Sequence, residues 1–270
     1  MKNIVLVVFF TFLFLSGCSQ QEIADKTPFL GETGLKQISP DETKIAGSDG
    51  IPGNDGPVLE AVYFNEVKPV DGKKVIQNPD NILVLVNRTY SLSADYIPSD
   101  LVRPNVPFSF GNQEVEKSLL REEAATALEE MFTAAEESGL ELFAVSGYRS
   151  FSRQDQIHQA EVYNVGEGNA VEAVAVPGNS EHQTGLAMDI SARSVGLRLT
   201  EELGETKEGK WLANNAHHFG FILRYPEGKE EITGYIYEPW HFRYVGRKAA
   251  KEIQQNNWTL EEYFEKVRKI

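Results

Sequence analysis

Two of the five histidines stand in surroundings that could do chemistry. His182 lies in Ser180-Glu181-His182-Gln183-Thr184-Gly185-Leu186-Ala187-Met188-Asp189-Ile190, and His241 in Tyr237-Glu238-Pro239-Trp240-His241-Phe242-Arg243-Tyr244. Two imidazoles and the Asp189 carboxylate, brought together, make a three-ligand zinc site with an open fourth position. A water held there loses its proton near neutral pH, and a neighbouring carboxylate can take it. Glu238, three residues before His241, is the candidate. In a regular strand, i and i+3 point to opposite faces. Pro239 removes a ladder donor and bends the segment, which can turn both side chains into one cavity. Spacing also leaves a plainer reading open, with His182 and Asp189 as surface polar residues flanking a glycine-containing turn.

Other chemistries are poorly served. The chain contains no Ser-x-x-Lys, no Gly-x-Ser-x-Gly and no His-Glu-x-x-His. Gly204 to Lys210 imitates a phosphate loop, but Trp211 stands where Ser or Thr would bind magnesium. His217 and His218 end a predicted helix and are not expected to bind metal. His158 reads as a solvated helix residue.

The chain has 270 residues, with 40 acidic against 26 basic and a net charge of -14. That balance argues against nucleic acid and against a polybasic membrane patch. A single cysteine, Cys18, rules out an intrachain disulfide and a cysteine-based zinc finger. The elements that must position the histidines read as a mixture. Ile82 to Val86 is an apolar run expected as a strand, and residues 118–138 carry apolar side chains at helical spacing, stopped by Gly139. Leu142 to Val145 and Phe221 to Leu223 read as strands, and Trp211 to Phe219 as a helix closed by Gly220. Thr259 with Glu262 forms a capping box opening a last helix. Helices and strands do not alternate regularly, so the expectation is an α+β fold: one compact domain with a small antiparallel sheet bearing the zinc site and helices flanking it.

Residues 1–17 read as a signal peptide. Ile4 to Leu15 is an almost unbroken apolar run, too short to span a bilayer, and it ends in Leu15-Ser16-Gly17-Cys18. This looks like a bacterial lipobox, with Cys18 as the lipidated first residue. Residues 18–57, poor in aromatics and rich in Gly, Pro, Asp, Glu and Ser, read as a flexible tether. The folded domain is expected over 58–270.

Three blocks, Ser146-Gly147-Tyr148-Arg149-Ser150 with Gln154, Ser180-x-His182-x-x-Gly185-x-Ala187-x-Asp189, and Glu238-x-Trp240-His241-x-Arg243-Tyr244, occur in this order. Together they resemble the VanY-type D-alanyl-D-alanine carboxypeptidases and the related LdcB-type L,D-carboxypeptidases, zinc peptidases of bacterial cell-wall peptides. The resemblance covers roughly residues 78–250, including Asp95-Tyr96-Ile97-Pro98, with no departure at a motif position. It implies zinc held by His182, Asp189 and His241. Glu238 would be general base towards the attacking zinc-bound water, then acid towards the leaving amine. Arg149 would bind the substrate's terminal carboxylate or the developing oxyanion, a task its donor fork suits better than Lys. Without the resemblance, Arg149 reads as a surface ion pair in an acidic protein. Ser180 and Gln154 would help hold the carboxylate, Trp240 would wall the pocket and Tyr225 would line it, although both aromatics also fit simple packing.

The expectation is a zinc carboxypeptidase removing the C-terminal D-alanine from peptidoglycan stem peptides, lipid-anchored through Cys18 to the outer face of the cell membrane. The choice between a D,D bond (pentapeptide) and an L,D bond (tetrapeptide) stays open. The alternative from another class is a non-catalytic wall-peptide-binding lipoprotein on the same fold.

Overall fold

A computed structural model of the chain describes residues 56–168 and 174–270. Residues 1–17, Cys18 and all but the last two residues of the 18–57 tether lie outside the described residues. Among the described residues, no helix is long and apolar enough to cross a membrane.

The centre is a four-stranded antiparallel sheet. Its order is Leu142–Ser146, Ala187–Ala192, His241–Tyr244 and Phe221–Leu223. Alternation along the strands gives it two different faces. Met188, Ile190 and Phe242 enter the main apolar core, while Asp189 and His241, between or beside them, take the other face. The core face is covered by the helix Glu122–Glu137, which buries Ala124, Leu128, Met131, Phe132 and Ala135. Leu128 is fully buried, so its truncation to Ala should cost about 2–5 kcal/mol. A second core joins Leu59, Leu83, Leu85, Ile222 and Val245 to the C-terminal helices Arg247–Asn256 and Leu260–Lys266. The domain's two ends meet where Val58–Leu59 pairs in parallel with Arg268–Lys269.

Several elements follow the sequence. Gly139 stops the first helix at φ +74°, and the capping box of Thr259 and Glu262 opens the last one. Others differ for identifiable reasons. The first helix begins at Glu122, not at residue 118, because the preceding backbone is spent elsewhere. Leu119 O accepts from Tyr148 N, Lys117 O accepts from Gly147 N, and Arg121 N donates to Gly185 O. The expected strand Ile82–Val86 is irregular chain, though Leu83 to Val86 are buried. Side chains supply the partners that a neighbouring strand would supply. Asn65 pairs with Leu85 N and O, and Arg243 Nη2 donates to Ile82 O and Val84 O. The helix expected at Trp211 to Phe219 starts earlier, at Lys207, where the Thr206 hydroxyl accepts from Gly209 N, and it tightens into a 3-10 turn over Ala216–Phe219.

Candidate active site

Strand register builds the site. Asp189 lies directly opposite His241 on one side and opposite Ser146 on the other. Directly paired residues share a face, so Ser146, Asp189 and His241 form a row across the sheet. A bulge between Ala144 and Ser146 brings the serine into that row. His241 Nδ1 is 3.1 Å from Asp189 Oδ1.

His182 reaches the row from a neighbouring 3-10 turn, Glu181–Thr184. Gly185 ends that turn at φ +66°, in the left-handed region, and the chain reverses into the Asp189 strand. A side chain at 185 would also meet Leu101 Cδ2 at 2.8 Å. The turn leaves His182 Nε2 3.4 Å from Asp189 Oδ2, and its other nitrogen, Nδ1, 2.8 Å from Gly147 O.

Glu238 arrives by the bend that Pro239 suggests. Pro239 and Trp240 are the central residues of a turn closed by His241 N donating to Glu238 O at 3.0 Å. The carboxylate stands 3.9 Å from His241 Nδ1. Both side chains open into one cavity of about 280 Å³, together with Arg149, Ser180, His182, Asp189, Tyr225 and Trp240.

Arg149 precedes the helix Phe151–Val165, with its backbone N–H on His182 O. Its guanidinium donates to Gln154 Oε1 at 2.9 Å and Ser146 Oγ at 3.2 Å. Gln154 itself is buried behind Arg149, and its amide donates to Ala175 O at 2.6 Å. It braces the arginine and does not line the cavity. Tyr225 stacks on the His241 ring at 4.9 Å and on Tyr235 at 4.6 Å. Trp240 lines the cavity and packs against Val195 and Leu203.

Sequence reasoning gave no role to Glu181 and Tyr235, which also line the cavity. Tyr235 carries no motif signal. Glu181 sits inside the second block, but only its burial against distant arginines marks it out. The histidines set aside stay apart from the triad. His217 and His218 stack on each other at 3.9 Å, and His158 is half-buried, not solvated, with Nε2 unpartnered. A wider depression of about 840 Å³, lined by Lys68, Lys73, Asp95 and Ile97, contains none of the triad.

His182, Asp189 and His241 are all buried, and one ligand atom from each falls within 4.8 Å of the others. Two imidazoles and a carboxylate are a donor set suited to zinc, with the cavity on the open side. The ring nitrogens turned away from Asp189 are both held, by Gly147 O and by Glu181 Oε2, which fixes the ring orientations. Burial lowers the pKa of His182, which favours the neutral imidazole a metal needs. Burial opposes charge on Asp189, but His182 and His241 prevail and hold it well below the usual carboxylate range. Burial likewise disfavours charge on His241, yet Asp189 and Glu181 outweigh it and raise its pKa to about 9 in the metal-free protein. Glu238 is pushed up by burial to about 7, against the pull of His241 and Arg149. A carboxyl poised there can both take and return a proton near neutrality.

Residues 117–247, which hold the triad, Glu238, Arg149 and the rest of the cavity lining, match the family model described as VanY, D-alanyl-D-alanine carboxypeptidase. The chain is 61% identical over 212 residues to the putative carboxypeptidase YodJ of Bacillus subtilis (strain 168), covering 78% of this chain and 77% of that protein. The chain belongs to the VanY carboxypeptidase family. Among solved structures, the LdcB LD-carboxypeptidase superposes with a TM-score of 0.77 at 60% identity, covering 79% of this chain and 99% of that one. The VanY D,D-pentapeptidase of a VanB-type resistance cassette, solved with Zn(II), superposes with a TM-score of 0.56 at 36% identity, covering 68% and 98%. A family member thus binds zinc, and the His182, Asp189 and His241 triad offers this chain a place for one such ion.

Proposed function

We propose that the chain is a zinc carboxypeptidase that removes the C-terminal D-alanine from peptidoglycan stem peptides. The observation that carries the reading is the sharing of one cavity by the triad, Glu238 and Arg149. His182, Asp189 and His241 would hold zinc, which would supply Lewis acidity towards the scissile carbonyl oxygen. Arg149, braced by Gln154 and Ser146, receives the terminal carboxylate of the peptide. Ser180 lines the same cavity and can donate its hydroxyl to that carboxylate. Tyr225 and Trp240 exclude water from the leaving residue. Glu238 accepts a proton from the attacking water. It returns that proton to the departing nitrogen as the C–N bond breaks, leaving the shortened peptide and free D-alanine.

The 60% identity to an LD-carboxypeptidase supports the L,D bond of a tetrapeptide as the site of cleavage. The D,D bond of a pentapeptide is the second reading, favoured by the match to a D,D-pentapeptidase. The test is digestion by the purified, zinc-loaded chain of matched tetrapeptide and pentapeptide stems, followed by mass spectrometry. Loss of one alanine from the tetrapeptide alone is expected. Loss from the pentapeptide alone reverses the bond assignment. With zinc bound stoichiometrically, no loss from either would leave a wall-peptide-binding protein.

We also propose that lipidated Cys18 holds the domain at the outer face of the membrane, with residues 18–57 as the tether. Cys18→Ala should release the protein or leave its leader uncut, as read by membrane fractionation. Normal retention with an unmodified cysteine would refute the anchor.

A further inference from the structure

Behind the triad lies a set of charged side chains that the mechanism does not use. Glu181, Arg224 and Arg243 have fully buried side chains. Arg224 Nε and Arg243 Nη1 donate to the same oxygen, Glu181 Oε1, at 2.8 and 2.7 Å. The rest of the Arg224 fork is taken by Glu261, from the last helix, at 2.8 and 2.6 Å. The rest of the Arg243 fork is taken by backbone carbonyls of Ile82, Val84 and Tyr244.

Buried ion pairs are a poor source of stability, because desolvating both charges can cost more than their attraction returns. Apolar residues of similar volume in such positions often hold a domain as well. What the arrangement does accomplish is directional. With Oε1 pinned by two guanidiniums, Glu181 has only Oε2 left, and that oxygen lies 3.3 Å from His241 Nε2. The imidazole therefore has its Nε2–H held and its Nδ1 turned to Asp189 and the cavity. His182 is held differently, by a neutral carbonyl, Gly147 O.

We infer that Glu181, fixed by Arg224 and Arg243, is a positioning residue of the metal site: it sets the tautomer and orientation of His241 and makes that imidazole the stronger zinc donor. The inference rests on the metal-site reading above. A carboxylate accepting from a ligating histidine raises its basicity, and loss of such a partner commonly costs 10–100-fold in metal affinity.

The test is zinc affinity, measured on the full chain in detergent by competition with a chromophoric chelator. Glu181→Gln keeps the shape, removes the charge and is expected to weaken zinc binding about 10–100-fold. The absorption spectrum of the cobalt-substituted protein should shift with it. Glu181→Asp keeps the charge and should recover part of the loss; it also carries the test if the glutamine variant does not fold. Glu262→Ala, which removes the glutamate half of the last helix's capping box and its ion pair with Lys229 and touches none of these groups, should lower the melting temperature without changing zinc affinity. A folded Glu181→Gln variant with the parent's affinity and cobalt spectrum overturns the inference, as does parental affinity in Glu181→Asp when the glutamine variant is unfolded. A parent chain that binds no zinc overturns the metal-site reading and this inference together.

Discussion

Gly147→Ala is a sharp test of how the site is braced, because the added methyl group has nowhere to go. An ideal Cβ at 147 would stand 2.4 Å from the carbonyl oxygen of Leu119 and 2.9 Å from Met188 Cε. The methionine end can swing aside, but the carbonyl belongs to backbone that also accepts from Tyr148 N. To reach an ordinary contact of 3.4 Å, the two backbone segments must part by about 1 Å. That movement falls on Gly147 O, which holds His182 Nδ1 at 2.8 Å. Overpacking of this kind costs about 1–3 kcal/mol, and an immovable partner puts the value near the top. At about 3 kcal/mol, a domain of this size should melt roughly 6–12 °C lower. Zinc affinity should fall about tenfold or more as the His182 ring loses its brace. The assays are a thermal melt and a zinc competition titration, with Gly56→Ala as the control. A Cβ at 56 meets only Lys266 O, at 3.7 Å, so its effect should stay within about 0.5 kcal/mol. A Gly147→Ala protein with the parent's melting temperature and zinc affinity would refute this account.

Four other perturbations separate the roles of neighbouring groups. Glu238→Ala should leave zinc bound but reduce turnover about 10²–10⁴-fold, as seen by metal analysis beside a D-alanine release assay; retained turnover would show that the base is misassigned. Arg149→Lys keeps the charge but loses the fork, so KM for the stem peptide should rise while zinc affinity holds. Gln154→Ala, which frees the same guanidinium, should move KM in the same direction by a smaller factor. Thr259→Ala removes one half of the capping box and should cost about 1 kcal/mol in a melt with kcat unchanged.

The parts of this molecule that are legible in its sequence are those governed by local rules. Gly139 closes the helical apolar spacing that ends at residue 138, and Thr259 with Glu262 opens the last helix. Pro239 between Glu238 and His241 announces a turn, and the turn is what lets both residues see one cavity. What stays hidden depends on partners far along the chain. Glu181 meets Arg224 across 43 residues and Arg243 across 62, and nothing in its own neighbourhood marks it as buried. Ile82 to Val86 misleads for the same reason. Its composition fits a strand, but its hydrogen-bonding partners are side chains of Asn65 and Arg243 from elsewhere. Arg243 itself stands in the third block, yet its spacing to His241 says nothing of the carbonyls it serves.

Charge balance ties the buried network to the reaction. Four carboxylates, Glu181, Asp189, Glu238 and Glu261, stand against three guanidiniums, Arg149, Arg224 and Arg243. With neutral imidazoles and ionised carboxylates, the set carries one negative charge in a region poor in water. A dication at the triad turns that into one positive charge, which matches the single carboxylate at the end of a peptide substrate. In the metal-free protein a proton on His241 plays the compensating part: burial opposes it, but the hydrogen bonds to Asp189 and Glu181 raise the pKa to about 9. The ion therefore belongs to the folded state and not to the unfolded chain, and binding must appear as stability. At free zinc near 100 times Kd, the gain is about 2.7 kcal/mol, or roughly 5–11 °C in melting temperature. Stripping zinc with a chelator should lower the melting temperature by that amount, and restoring the metal should recover it. A protein that binds zinc stoichiometrically yet melts at the same temperature with and without chelator would show that the ion sits somewhere other than this buried triad.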